Sequence, residues 1–163
     1  MNNISIGLVT EFARDAFGSG WTCESISDEC LIFQEQMSRE MLAEDKNAVV
    51  ITDSPVLLPY VYGLMFNENT YHDQVVLMKL YECFVENIDR YDLLIFINRD
   101  HPYIFDGVRE AISQQADEFG ELLKNVLKQH KVEFTELKST EDVAGYVVQY
   151  VLQNGEVQCV SNT

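Results

Sequence analysis

The run Ala48-Val49-Val50-Ile51-Thr52-Asp53-Ser54-Pro55 constrains this chain more than any other stretch. Four apolar residues follow one another without polar alternation. That suits a strand buried on both faces, the pattern of a parallel sheet covered by helices. Leu93-Leu94-Ile95-Phe96-Ile97 is a second run of the same kind. Each ends in polar residues, Thr52-Asp53-Ser54 in one case and Asn98-Arg99-Asp100 in the other. In open α/β sheets, ligands bind beyond the carboxyl ends of the strands. Pro55 stops strand pairing and is suited to a helix start. Asp53 and Ser54 also have a plainer use, as caps of a helix beginning near Val56.

The rest of the chain fits around these two runs. Ile4 to Thr10 reads as a short strand ending at Glu11. Phe12 to Phe17 makes a turn or two of helix, which Gly18-Ser19-Gly20 ends. Ser25 or Ser27 opens a helix to about Glu44, with Ile32, Met37 and Met41, beside Leu31 and Phe33, as its apolar stripe. Val56 to Phe66 reads as a buried helix broken near Pro59 and Gly63. Tyr71 to Arg90 carries Val75, Leu77, Met78, Tyr81, Val85 and Ile88 at helical spacing. A loop over His101–Gly107 leads to a long charged helix, Val108 to His130. Val132 to Leu137 is a short strand. Thr140 opens a last helix with Val143, Val147, Tyr150 and Val151 on its apolar face. The order β-α-α-β-α-α-β-loop-α-β-α predicts an α/β fold with a three-layer parallel sheet. A length of 163 residues suits one domain, here 1–155, with 156–163 as a flexible tail.

Charge narrows the partners. With 27 acidic against 11 basic residues the net charge is -16, which opposes non-specific binding to nucleic acid or anionic membrane. No apolar run approaches the ~18 residues of a membrane span. Met1-Asn2-Asn3 lacks the basic region that opens a signal peptide. Cys23, Cys30, Cys83 and Cys159 show no metal spacing and read as reduced thiols. These features together predict a cytoplasmic protein with no membrane partner.

Strand ends carry the chemistry. In a parallel sheet Glu11, Asp53-Ser54 and Asn98-Arg99 fall along one edge and converge on one cleft. Carboxylates there are able to bind Mg²⁺ through water, orient a substrate hydroxyl or act as a general base. Arg99 and Arg109 flank the loop containing Pro102 and Gly107, and a guanidinium fork matches phosphate oxygens. Plainer uses exist for each. Glu11 is placed to favour a helix start, Arg109 to pair with Glu110 or Asp106, and Arg14 and Arg39 to be solvated helix residues. His72, His101 and His130 have no spacing that suggests a metal site or triad.

The phrases Leu8-Val9-Thr10-Glu11-Phe12-Ala13-Arg14-Asp15, Val50-Ile51-Thr52-Asp53-Ser54-Pro55 and Tyr91-Asp92-Leu93-Leu94-Ile95-Phe96-Ile97-Asn98-Arg99, with Pro102-Tyr103 and Asp106-Gly107-Val108-Arg109, resemble one group of P-loop kinases. That group holds nicotinamide riboside kinase domains and small bacteriophage ATPase and kinase proteins, among them the 5-hydroxymethyluridine DNA kinases. Asp28, Ile32-Phe33, Gln36 and Arg39 also look like the phage group. The likeness spans Ile6 to about Leu137. It implies phosphoryl transfer from ATP, with Mg²⁺, to a nucleoside- or nucleotide-like acceptor, a base within DNA included. By the same likeness Glu11, Gln36, Arg39 and Ser54 bind the acceptor. Asp53 lies near the metal or the acceptor hydroxyl, and Arg99 and Arg109 form a lid over the phosphates.

One departure is severe. The phosphate-binding loop G-x-x-x-x-G-K-[ST] is absent from the 163 residues. Gly18-Ser19-Gly20 does not replace it, since Trp21 follows where Lys and Ser/Thr are needed. In the family that loop follows a strand at the centre of the sheet, between the strands assigned here to Ala48–Thr52 and Leu93–Ile97. Met1 accordingly resembles an internal residue of a longer protein, and the sheet is expected to lack its first strand, its P-loop and its first helix. Three explanations stand. The chain is a fragment or begins at a misplaced start; or it is a degenerate, non-catalytic binding module; or the two inner strands pair directly in a narrower sheet. An oligomer or an amino-terminal segment would complete the sheet in the first two cases. An ATP-hydrolysing motor or switch is a further reading.

Overall fold

Short β-branched runs and longer helix-forming segments alternate along the chain, and the computed structural model follows them over residues 4–98 and 113–154. The elements are β1 (Ile6–Val9), α1 (Phe12–Gly18), α2 (Asp28–Glu44), β2 (Val49–Thr52), α3 (Leu58–Met65), α4 (Tyr71–Asn87), β3 (Ile95–Asn98), α5 (Ser113–Gln129), β4 (Thr135–Lys138) and α6 (Val143–Asn154). Arg99, Arg109, the loop His101–Gly107, the start of the helix expected from Val108, and the tail lie outside the described residues. Among the described residues no helix is long and apolar enough to cross a membrane, and Cys23, Cys30 and Cys83 are free thiols.

The strands are parallel, as the unalternating apolar runs of β2 and β3 lead one to expect, but they form two separate pairs. β1 pairs with β2 in the register Ile6↔Val49 to Val9↔Thr52, and β3 pairs with β4 from Ile95↔Thr135 to Asn98↔Lys138. β2 and β3 do not pair with each other. The narrower sheet made by direct pairing of the inner strands is therefore corrected. Among the described residues each inner strand keeps one edge of unpaired N–H and C=O groups, a template for another strand. One face is also uncovered. Paired residues of parallel strands share a face, and Ile6, Leu8, Ile51 and Ile97 lie exposed, Leu8 at 73%. Parallel sheets normally have both faces covered.

α2 packs on the other side, against β1 and β2. Its buried positions are not those of the expected apolar stripe: Leu31 and Met41 are exposed, while Glu29, Gln36 and Glu40 are buried. The spacing of seven and then four residues puts these three on one helical face. Ser27 precedes the helix without a side-chain cap bond. Asp28 Oδ2 instead accepts from the Glu24 and Ser25 N–H groups, at 2.9 Å each.

α3 is unbroken. Pro59 sits in its first turn, where the missing N–H costs nothing. Gly63 lets α3 approach α4 closely, for a Cβ there would lie 2.9 Å from Leu80 Cδ1. Leu57, Val61, Phe84, Val126 and Leu127 form the main buried cluster, which joins α3, α4 and α5. The strand expected from Val132 begins at Thr135, because the Val132 N–H closes the end of α5 on Leu127 O at 2.9 Å.

A buried carboxylate ties the two strand pairs together. Glu40 Oε2 accepts from the Tyr91 hydroxyl at 2.9 Å and from Arg90 Nε at 3.4 Å, and its Oε1 accepts from Thr52 Oγ1 at 3.2 Å. Tyr91 accepts in turn from the Val56 N–H at 2.8 Å. These bonds link α2, β2, the entry to α3 and the segment before β3. Burial pushes the Glu40 carboxyl up, against the downward pull of bonds from Tyr91, Thr52 and Arg90.

Candidate functional site

At the ends of β1 and β2, polar residues stay beside the sheet before the next helix begins. β1 gives way to α1 at Glu11, whose backbone is still extended. β2 ends at Thr52, and Asp53 remains on the sheet through its N–H bond to Val9 O at 3.1 Å. α3 does not begin until Leu58, and neither Asp53 nor Ser54 caps it. The Asp53 carboxylate has no hydrogen bond or ion pair among the described residues, and its residue is exposed.

A cavity of about 1500 Å³ opens on these junctions and is lined by Glu11, Gln36, Asp53, Ser54 and Asn98. The convergence expected from the strand ends is thus found for β1, β2 and β3. The volume exceeds the ~300–1,000 Å³ of an ordinary small-molecule site. The cavity reaches the end of β2 and Phe96 to Asn98 of β3, so it lies between the two strand pairs.

The residues expected to bind an acceptor have different surroundings. The Gln36 amide is committed on both atoms: Oε1 accepts from the Phe12 N–H at 2.9 Å and Nε2 donates to Thr52 Oγ1 at 3.2 Å. It fixes the start of α1 to the end of β2. Arg39 does not line the cavity. Its guanidinium meets Asp15 at 2.6 Å and lies 5.2 Å from the centre of the Phe12 ring, and this contact holds the Asp15 carboxyl below its usual range.

Glu29 was not singled out in the sequence. It lines the cavity, is only 5% exposed, and its Oε2 has no hydrogen-bond partner among the described residues. Burial, with a smaller push from the Asp28 charge, raises its pKa to about 8. Two aromatic pairs also line the cavity. Tyr62 and Phe119 are stacked with centroids 4.1 Å apart, and Phe17 and Trp21 at 5.5 Å. The spacing of Glu29 to Gln36 and Glu40 was the one available signal for this position.

The described residues do not fit a nucleoside triphosphate. No glycine-rich loop is present, and the lining sets Glu11, Asp53, Glu68, Asp73 and Asp117 against two cations, Arg14 and Lys124. Lys124 is engaged by Glu121 at 2.6 Å and by Glu136 at 3.8 Å. A wall of this sign repels phosphates. Among the described residues no group of three His, Cys, Asp or Glu side chains is placed to hold a metal ion.

A family model described as an AAA domain matches residues 2–144 of the chain. No curated protein matches it.

Proposed function

This chain belongs to the AAA domain family, of P-loop NTPase type, and we propose that it forms the acceptor side of a phage-type P-loop kinase. The family commonly uses ATP and Mg²⁺. In this reading a strand, glycine-rich loop and helix from outside the 163 residues enter between β2 and β3, complete a three-layer sheet and bring the phosphate cradle. The acceptor is nucleoside-like, 5-hydroxymethyluridine in DNA being one candidate. Asp53 orients its hydroxyl or the metal, Glu11 and Ser54 face it, and Gln36 and Arg39 hold the strand ends in place around it. Arg99 and Arg109 close over the phosphates. The observation that supports this reading best is the pair of free inner edges beside the cavity where three strand ends meet.

A second reading, a non-catalytic nucleoside-binding module, is favoured by the acidic cavity wall and the missing loop. The two separate on adding the segment. Coding sequence upstream of Met1, or a partner chain, that supplies G-x-x-x-x-G-K-[ST] should give Mg-ATP-dependent phosphorylation of a nucleoside. A completed protein that binds nucleoside but transfers no phosphate belongs to the second reading.

Two expected outcomes follow from the site as it stands. The 163-residue protein should bind Mg-ATP only in the millimolar range, about -4 kcal/mol, by calorimetry. Micromolar affinity would mean that another part of this chain cradles the phosphates. In the completed enzyme, Asp53→Asn should lower kcat by roughly 10²-fold and change stability by less than about 0.5 kcal/mol, since the side chain is exposed and caps nothing. Unchanged kcat would remove Asp53 from the chemistry.

A further inference from the structure

Resting on the acceptor-side reading above, we propose that Glu29 is a specificity residue that reads the hydrogen-bonding edge of a nucleobase held between the aromatic walls of the cavity. A buried polar atom without a partner costs about 1–3 kcal/mol, so Oε2 is a group that a ligand would satisfy with a gain. The surroundings select the kind of ligand. Tyr62 stacked on Phe119, and Phe17 stacked on Trp21, offer flat apolar faces in the same cavity, and base–aromatic stacking contributes about 1–3 kcal/mol per base. Ile26 and Ile32 add apolar lining beside Glu29. A flat ring with a polar edge matches that combination; an aliphatic or phosphate-bearing group does not.

The carboxyl's protonation state decides which edge. Among the described residues Asp28, Cys23, Cys30 and Tyr62 couple electrostatically to Glu29, and none of them is a cation; Arg14 lines the same cavity without a resolved effect on Glu29. Glu29 therefore holds its proton at neutral pH. A neutral carboxyl is one O–H donor beside one C=O acceptor. It pairs with a ring edge that presents one acceptor and one N–H donor side by side, which every common nucleobase does. A site built to hydrogen-bond such an edge also rejects rings without it, because its own buried groups would be left unpaired.

The test uses the 163-residue protein with thymidine and deoxycytidine as probes, followed by NMR titration. Glu29→Gln keeps a donor beside an acceptor and should bind the better of the two probes within about threefold of wild type. Glu29→Leu keeps the bulk and loses the edge, and should bind at least tenfold more weakly. The ¹³Cδ resonance of Glu29 in wild type should shift on titration, a readout that does not depend on Glu29→Leu folding. If Glu29→Gln binds as weakly as Glu29→Leu, the carboxyl acts as an anion and the inference is overturned. If a nucleoside binds while the Glu29 resonance and both variants are indifferent, the inference fails and the acceptor reading stands. If neither nucleoside binds at millimolar concentration, both fail.

Discussion

Glu40→Ala should destabilise the protein by about 3 kcal/mol, the loss typical of breaking a buried ion pair by removing one partner. Glu40 is 1% exposed and serves three donors, Tyr91, Arg90 and Thr52. Removing it leaves the Tyr91 hydroxyl and a largely buried guanidinium without their shared acceptor. Arg90 keeps only Glu44, at 2.7 Å. At this chain length the loss corresponds to a fall in Tm of roughly 10 °C. Glu40→Gln retains an acceptor for Tyr91 and should lose less than half as much. Urea unfolding of the two variants checks both values. A loss below about 1 kcal/mol for Glu40→Ala would mean that the strand pairs are joined by the apolar cluster around Leu57 and Phe84 alone.

Glu29→Gln should act in the opposite direction. The folded-state pKa of Glu29 is raised from 4.5 to about 8, so the folded protein holds a proton that the unfolded chain releases. Below pH 4.5 both states are protonated and nothing is lost. Between 4.5 and 8, stability falls as pH rises, by about 1.4 kcal/mol per unit. Above 8 the loss is complete and constant. Glutamine has no proton to hold, so Glu29→Gln should match wild type near pH 4 and exceed it by about 3 kcal/mol at pH 7. Denaturant unfolding at several pH values measures the difference. A constant difference across that range would show that Glu29 ionises in the folded protein as it does in the unfolded one.

The two carboxylates also show where sequence reading stops. Ala48–Thr52 and Leu93–Ile97 were legible because unbroken apolar runs of strand length have few alternatives, and both became parallel strands at nearly those positions. Their polar ends were legible for the same reason: chain direction in a parallel sheet puts them on one edge. The buried face of α2 differs from the expected stripe because Ile32, Met37 and Met41 outweigh three polar residues wherever hydrophobicity alone is weighed. Burial of Glu40 depends on Tyr91, 51 positions away, and no local periodicity carries that partner. Pro59 does not break its helix, because the helix starts one residue before it and a proline's place in a helix decides its effect. The strands form two pairs, and direct pairing of β2 with β3 did not occur. The α2–α3–α5 packing keeps the halves in one molecule while leaving that position open.

The open position is testable through backbone amides. A strand's N–H groups point alternately to its two neighbours. Val49 and Asp53 donate toward β1, and Leu94 and Asn98 accept from β4. The N–H groups of Val50, Thr52, Ile95 and Ile97 therefore face the free edges. Amide exchange by NMR on the 163-residue protein, at a concentration where sedimentation shows a monomer, should find these four unprotected while the amides of Val49 and Asp53 are protected. Strong protection of all four in the monomer would mean that β2 and β3 are already paired, and would contradict a sheet that awaits its central strand.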